Sequence, residues 1–265
     1  MQTLDFSGQT RIRALFISDL HLGARGCRAS EILAFLERTQ AEMIYLVGDI
    51  FDLWHGATIY WDERHDSILD LLLRRQAQGV KLAYIHGNHD APNADPARRW
   101  VPEWTICERT THVLADGQRM LVLHGDQCDG RLLKWSVMTR AGSILDGTMR
   151  RIDGWLRRRL GRSEHERSLV QACIAAVNSV LSSGDALADR LLALADQSGH
   201  DGVICGHFHR PALRQSNGMT YANCGDWMDS LTALVETYDG TLQLLEWAPQ
   251  SGTHSVSFSQ KALLC

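Results

Sequence analysis

The sequence predicts an α/β fold, and three observations predict it. Short apolar runs at 12–18, 43–47, 81–86, 120–124 and 202–205 are each bounded by turn-forming residues, as buried strands are. Helical patterns at 30–38 and 66–78 separate the first three runs, the alternation expected of a partly parallel sheet. Beyond Gly206, short segments are joined by Asn217-Gly218 and Asp239-Gly240, the turn chemistry of antiparallel pairs.

Taken in order, 12–18 reads as the first strand, rich in Ile, Leu and Phe. The helix at 30–38 leads into the strand at 43–47. The next helix, 66–78, sets Ile68, Leu69, Leu72 and Leu73 at helical spacing, and Gly79 stops it. Strands at 81–86 and 120–124 follow. The interval 131–197 contains no proline and reads as helices, with Ser163 and Glu166 spaced as a capping box. The strand at 202–205 comes next, and 212–215, 219–223, 230–236 and 241–247 read as an antiparallel tail. There is no internal repeat and no linker. Residues 1–265 therefore read as one domain with a helical insertion at about 131–197.

Composition excludes several classes. The 265 residues are 45% hydrophobic and 22% charged, too apolar for a disordered chain. Seven cysteines form no CxxC pair, so the expectation is reduced thiols. No apolar run approaches the roughly 18–20 residues of a membrane span. The opening MQTLDFSGQTRIR lacks the apolar core of a signal peptide, which makes the cytoplasm the expected compartment. Charge is unevenly spread. Between Arg131 and Arg162, nine Arg or Lys face two Asp, a local +7 within a chain of net −4, so the remainder carries −11. Such a block suits an anionic surface.

Polar residues gather just beyond the strands. The first is followed by Asp19 and His21 (SDLHLG), the second by Asp49 and Asp52 (GDIFD), and the third by Asn88, His89 and Asp90 (GNHD). The fourth ends in His124 and Asp126 (LHGD), and the fifth runs into His207 and His209 (GHFH). Ligands of open α/β sheets bind outside the carboxyl ends of strands, so these groups are expected in one crevice. Each pair alone reads equally as a turn; their joint order points to a site. Carboxylate, amide and imidazole ligands without thiolates suit two divalent ions, manganese first, with iron or zinc as alternatives. Two ions about 3.5–4 Å apart can generate hydroxide at neutral pH and clamp a displacement at phosphorus. Asp49, central in chain order, is the candidate bridge.

This motif set resembles the calcineurin-like metallophosphoesterase superfamily. The resemblance implies a four-layer α/β/β/α metallophosphoesterase sandwich. It implies that Asp19, His21, Asp49 and His209 hold one metal and that Asp49, Asn88, His124 and His207 hold the other. His89 would be the general acid, oriented by Asp52, and a hydroxide bridging the metals would be the nucleophile. SDLHLG, GDIFDLW, LHGDQCD, GHFHRP and NCGDWMDSLTALVE look like the UDP-2,3-diacylglucosamine diphosphatase branch of lipid A biosynthesis, which yields UMP and an acylated sugar 1-phosphate. One departure is His89, where well-known members of that branch have Arg.

Around this set, Asp90, Asp126 and Asp129 are expected to accept from ligating His or Asn. Arg25 and Arg28 are candidates for a substrate phosphate. Asn223, Asp226 and Trp227 read as structural, and Trp54, Tyr60 and Trp61 as loop anchors. In the insertion, Leu145, Met149, Ile152, Leu156 and Leu160 form an apolar stripe opposite Arg150, Arg151, Arg157 and Arg158. The resembling branch shelters acyl chains in this interval. A lipid-linked, phosphate-containing substrate is expected, with residues 131–162 on an anionic membrane surface at the inner face of the cytoplasmic membrane. Nucleic acid is not expected, because the insertion has only Trp135 and Trp155 for stacking. Two alternatives stand beside this reading: a phosphodiesterase or nuclease of the superfamily, and a noncatalytic scaffold on the same fold.

Overall fold

A computed structural model describes residues 10–52, 59–90, 104, 106–128 and 184–248. Trp54, Asp129, the basic stripe at 131–162 and the capping pattern at Ser163 lie outside them. The chain forms two units, Met1–Asp126 with Leu191–Cys265, and Gln127–Arg190. The sheets belong to the first.

Strands β1 (Thr10–Ile17), β2 (Thr39–Val47), β3 (Lys81–Ile85) and β4 (Ile106–Cys107) pair in parallel. Helices α1 (Ala29–Arg38) and α2 (Glu63–Ala77) make the first two crossovers, as parallel pairing requires. Period-two alternation then sorts the side chains. Leu15, Ile17, Ile44 and Leu46 pack with Ile32, Phe35, Leu36, Ile68 and Leu72 of the helices. Ala14, Phe16, Tyr45 and Val47 face Met120, Val122, Ile204 and Ala222. Burial on both faces is why these strands read as continuous apolar runs.

The second sheet contains β5 (Arg109–Val113), β6 (Arg119–Leu123), β7 (Gly202–Cys205), β8 (Ala212–Ser216) and β9 (Met219–Asn223). Its order is β5-β6-β7-β9-β8, and α3 (Gly184–Gln197) precedes β7. Leu121, Val203 and Tyr221, on the face turned away from the first sheet, are also buried. The tail departs from a single antiparallel group. β8 and β9 pair antiparallel across Asn217-Gly218, but β9 also joins β7 in parallel. The last two strands, β10 (Thr232–Glu236) and β11 (Leu242–Glu246), cross to the first sheet, where β10 lies antiparallel to β1.

Most expected elements agree with the structure within a few residues. Helix α2 begins three residues before its expected start at 66, because Asp62 caps it. The Asp62 carboxylate accepts the Arg64 N–H at 3.0 Å, and the Asp62 N–H donates to His65 Nδ1 at 3.1 Å. Among the described residues, no helix is long and apolar enough to cross a membrane.

Candidate metal centre

Beyond β1 and β2 the two chains stay tied together. The N–H groups of Asp19, His21 and Leu22 donate to the carbonyls of Gly48, Asp49 and Ile50 at 3.0, 3.0 and 2.8 Å. The Asp52 N–H returns to Leu22 O at 3.0 Å. The first two motifs are thus held in register past the sheet. The second sheet joins them through His207, whose N–H donates to Asp19 Oδ2 at 3.0 Å.

This convergence needs unusual backbone. Asp19, His21, Asp49, His207 and His209 have φ values of 54, 47, 51, 68 and 50°. L-residues visit that region at a cost, and such residues cluster where function demands the geometry. Close approach also excludes side chains. A Cβ at Gly87 would lie 2.3 Å from Asp49 Oδ1, and one at Gly48 2.3 Å from His124 Nδ1.

The side chains form linked clusters. Asp19, His21 and His209 bring ligand atoms within 4.8 Å of one another, as do Asp49, His124 and His207. A third group, His21, Asp52 and His89, shares His21 with the first. His209 Nε2 lies 3.2 Å from Asp19 Oδ1 and 3.5 Å from His21 Nε2. His124 Nε2 lies 3.3 Å from Asp49 Oδ2. The His89 N–H donates to Asp49 Oδ1 at 2.7 Å, tying the third group to the second.

The chemistry of these atoms fits metal ions. His124 Nδ1 donates to Val47 O at 2.9 Å, so in the neutral ring Nε2 carries its lone pair toward Asp49. That nitrogen, Asp19 Oδ1 and Asn88 Oδ1 are all buried with no hydrogen-bond partner. Buried lone pairs left without a donor are costly, and a cation satisfies several at once. A cleft of about 670 Å³ near the N-terminal halves of β1, β2 and β3, lined by Arg13, Glu42 and Lys81, contains none of these residues.

Electrostatics agree. Burial alone would raise the Asp19 and Asp49 carboxyls, but His209 beside Asp19 and His124 beside Asp49 outweigh it and hold both below the ordinary range. Burial pushes His21 down to about 4, leaving a neutral imidazole. Burial also opposes the His124 imidazolium, yet the Asp49 carboxylate beside it outweighs that and raises its pKa to about 10. His89 Nδ1 is 3.2 Å from Asp52 Oδ1. Burial works against its charged form, and the Asp52 hydrogen bond and the Asp49 charge overcome that, raising its pKa.

Asp90 departs from its expected role. Asp90 does not serve a ligand side chain; it accepts the Asp49 and Gly87 N–H groups on Oδ2 and the Phe51 N–H on Oδ1, all at 2.8 Å. It braces the loop backbone because its own side chain is buried beneath that loop. Asp126 Oδ1 is buried with no hydrogen-bond partner. Arg25 stacks over Tyr60 at 5.3 Å, and Arg28 Nη1 lies 3.7 Å from Glu31 Oε1. Asn223 is structural, donating to Gly206 O at 2.7 Å and accepting the Gly225 N–H at 2.9 Å. Trp61 anchors its loop by donating to Asp66 at 2.8 Å. Asp226 lies 3.9 Å from His209 Nδ1, a proximity that its place in a polar turn did not signal.

Known proteins resemble this chain along most of its length. The model of the calcineurin-like phosphoesterase family matches residues 12–211. A UDP-2,3-diacylglucosamine hydrolase of Shewanella piezotolerans is 28% identical over 253 residues, covering 89% of this chain and 98% of the relative. One from Aeromonas salmonicida is 28% identical, with 83% and 88% covered. The solved structure of Vps29 from Entamoeba histolytica with Zn2+ is 15% identical and covers 92% of this chain and 96% of its own, with a TM-score of 0.46.

Proposed function

The chain belongs to the calcineurin-like phosphoesterase family, and from that premise we propose that this hydrolase cleaves the diphosphate of a nucleotide-linked, acylated sugar. UDP-2,3-diacylglucosamine is the reference substrate, because relatives bearing that name align along nearly nine-tenths of the chain. The observation that carries the reaction is the pair of ligand clusters holding buried, unpartnered lone pairs.

In this reading Asp19, His21, Asp49 and His209 hold one divalent ion, and Asp49, Asn88, His124 and His207 hold a second. Manganese suits the oxygen and imidazole donors best; iron and zinc are the alternatives. Bound there, the ions supply charge that acidifies a water nucleophile and offsets negative charge on the phosphoryl oxygens. His89, its Nδ1 facing Asp52, presents Nε2 to the leaving oxygen and gives it a proton as the P–O bond breaks. Asp90 keeps Asp49 in place through the backbone. Arg25 and Arg28, on the loop after His21, would bind a substrate phosphate. In the stretch 131–162, the apolar stripe meets the acyl part of the substrate and the arginines the anionic inner face of the cytoplasmic membrane.

The His89–Asp52 pair also favours a second reading, a phosphodiesterase, because a positioned proton donor helps poor leaving groups most. A substrate panel in Mn2+ separates the two. UDP-2,3-diacylglucosamine should give UMP and acylated sugar 1-phosphate with the highest kcat/KM, above an unacylated UDP-sugar. Preference for a cyclic nucleotide or single-stranded DNA would replace the diphosphatase reading with the phosphodiesterase one. No turnover of any substrate would favour the scaffold.

A further inference from the structure

The turn between β9 and β10 supports the metal-facing loops from behind. Ser18 Oγ donates to Gly225 O at 2.9 Å, and the Trp227 N–H donates to Asp19 O at 3.1 Å. Between these contacts sits Asp226, its side chain 1% exposed. Its Oδ1 accepts the N–H groups of Met228 and Asp229 at 2.8 and 2.6 Å, so the carboxylate is fixed by the turn it closes. Oδ2 is buried with no hydrogen-bond partner.

Oδ1 also lies 3.9 Å from His209 Nδ1, while His209 Nε2 lies 3.2 Å from Asp19 Oδ1. The imidazole is therefore strung between a ligand cluster at one nitrogen and a buried carboxylate at the other. At 3.9 Å the second interaction is electrostatic rather than a hydrogen bond. A negative charge there favours the tautomer with its proton on Nδ1, which leaves the Nε2 lone pair for a cation. Carboxylates behind ligating histidines act in this way, and their loss typically costs about 10–100-fold in metal affinity.

We propose that Asp226 is a positioning residue for the ion held by Asp19, His21 and His209, setting the tautomer of His209 and the affinity of that site alone. The proposal rests on the two-metal reading. Asp226 faces His209, which belongs to the first cluster and not to that of Asp49, His124 and His207, so the second site should not respond.

The test uses Asp226→Asn, which keeps an oxygen for the Met228 and Asp229 amides and removes the charge. Metal-free wild type and variant are titrated with Mn2+ in a calorimeter, and the metal-free Tm of each is measured. The expected result is unchanged Tm, two equivalents on wild type, and about 10–100-fold weaker binding of one equivalent on the variant. Asp226→Glu should recover part of the loss. Wild-type affinity at both sites of Asp226→Asn would make Asp226 a turn cap and overturn the proposal; equal weakening of both sites would overturn it too. Fewer than two equivalents on wild type would count against the two-metal reading itself. A second measurement needs no variant: ring 15N shifts of His209 in the Zn2+-loaded protein. A proton on Nδ1 is expected, and a proton on Nε2 overturns the proposal.

Discussion

At His89, Nδ1 lies 3.2 Å from Asp52 Oδ1, and on the proposed reading this imidazole protonates the leaving group. His89→Ala should therefore lower kcat by about 10²–10⁴-fold for substrates with poor leaving groups. The loss should shrink for nitrophenyl esters, and two equivalents of metal should remain bound. A loss equal across leaving groups of very different pKa would remove His89 from the role of proton donor. The clustered Asp and His residues were legible from sequence because Asp, His and Asn recur where apolar runs stop, a placement that core packing does not require. Asp226 was not legible. An Asp after Gly reads as a turn, and it does close one; only the fold brings that turn behind His209.

Among the elements, β5 escaped the sequence reading, since within Arg109–Val113 only His112 is buried and the apolar signal is faint. The strand is held by polar groups instead. On the first sheet, Arg13 of β1 pairs with Glu236 of β10 at 2.5 Å. From β5, His112 Nε2 donates to Glu236 Oε2 at 2.7 Å, and Tyr45 Oη lies 2.8 Å from His112 Nδ1. The Ala115 N–H donates to Glu236 Oε1 at 2.8 Å, completing a clamp between the sheets. Glu236→Gln should destabilise the fold at neutral pH by about 3 kcal/mol, the low end for a buried pair broken from one side. Burial would raise the Glu236 carboxyl, but the bonds from His112, Ala115 and Arg13 outweigh it and lower its pKa. A group with a lowered folded pKa stabilises above its unfolded pKa, near 4.3, and loses that contribution as pH falls through the folded value. The gap between wild type and Glu236→Gln in urea melts should thus narrow as pH falls below about 4.3. A gap that widens with acid would contradict this account of the clamp. Strands β1, β2 and β3 were legible because both their faces are buried. The crossing of β10 and β11 to the first sheet was not, since hairpin turns specify local pairing and say nothing of which sheet receives the hairpin.

For the whole molecule, the +7 stretch at 131–162 against −11 elsewhere predicts orientation at an anionic surface. Each Arg near such a surface contributes roughly 1 kcal/mol, screened by salt. Replacing Arg157 and Arg158 with Glu should weaken binding to phosphatidylglycerol vesicles, most at low ionic strength, and leave hydrolysis of a short-chain substrate intact. Binding equal to wild type would make the stretch a solvated surface. On the proposed reading, five strand ends in two sheets assemble one centre for two ions joined by Asp49. Metal titration of the metal-free protein, wild type beside Asp49→Ala, tests it most directly. Two equivalents of Mn2+ are expected on wild type, and on Asp49→Ala a weakening of both together with loss of hydrolysis. A wild-type protein that hydrolyses its substrate with its metal removed, or an Asp49→Ala variant that binds both ions as wild type does, would contradict it.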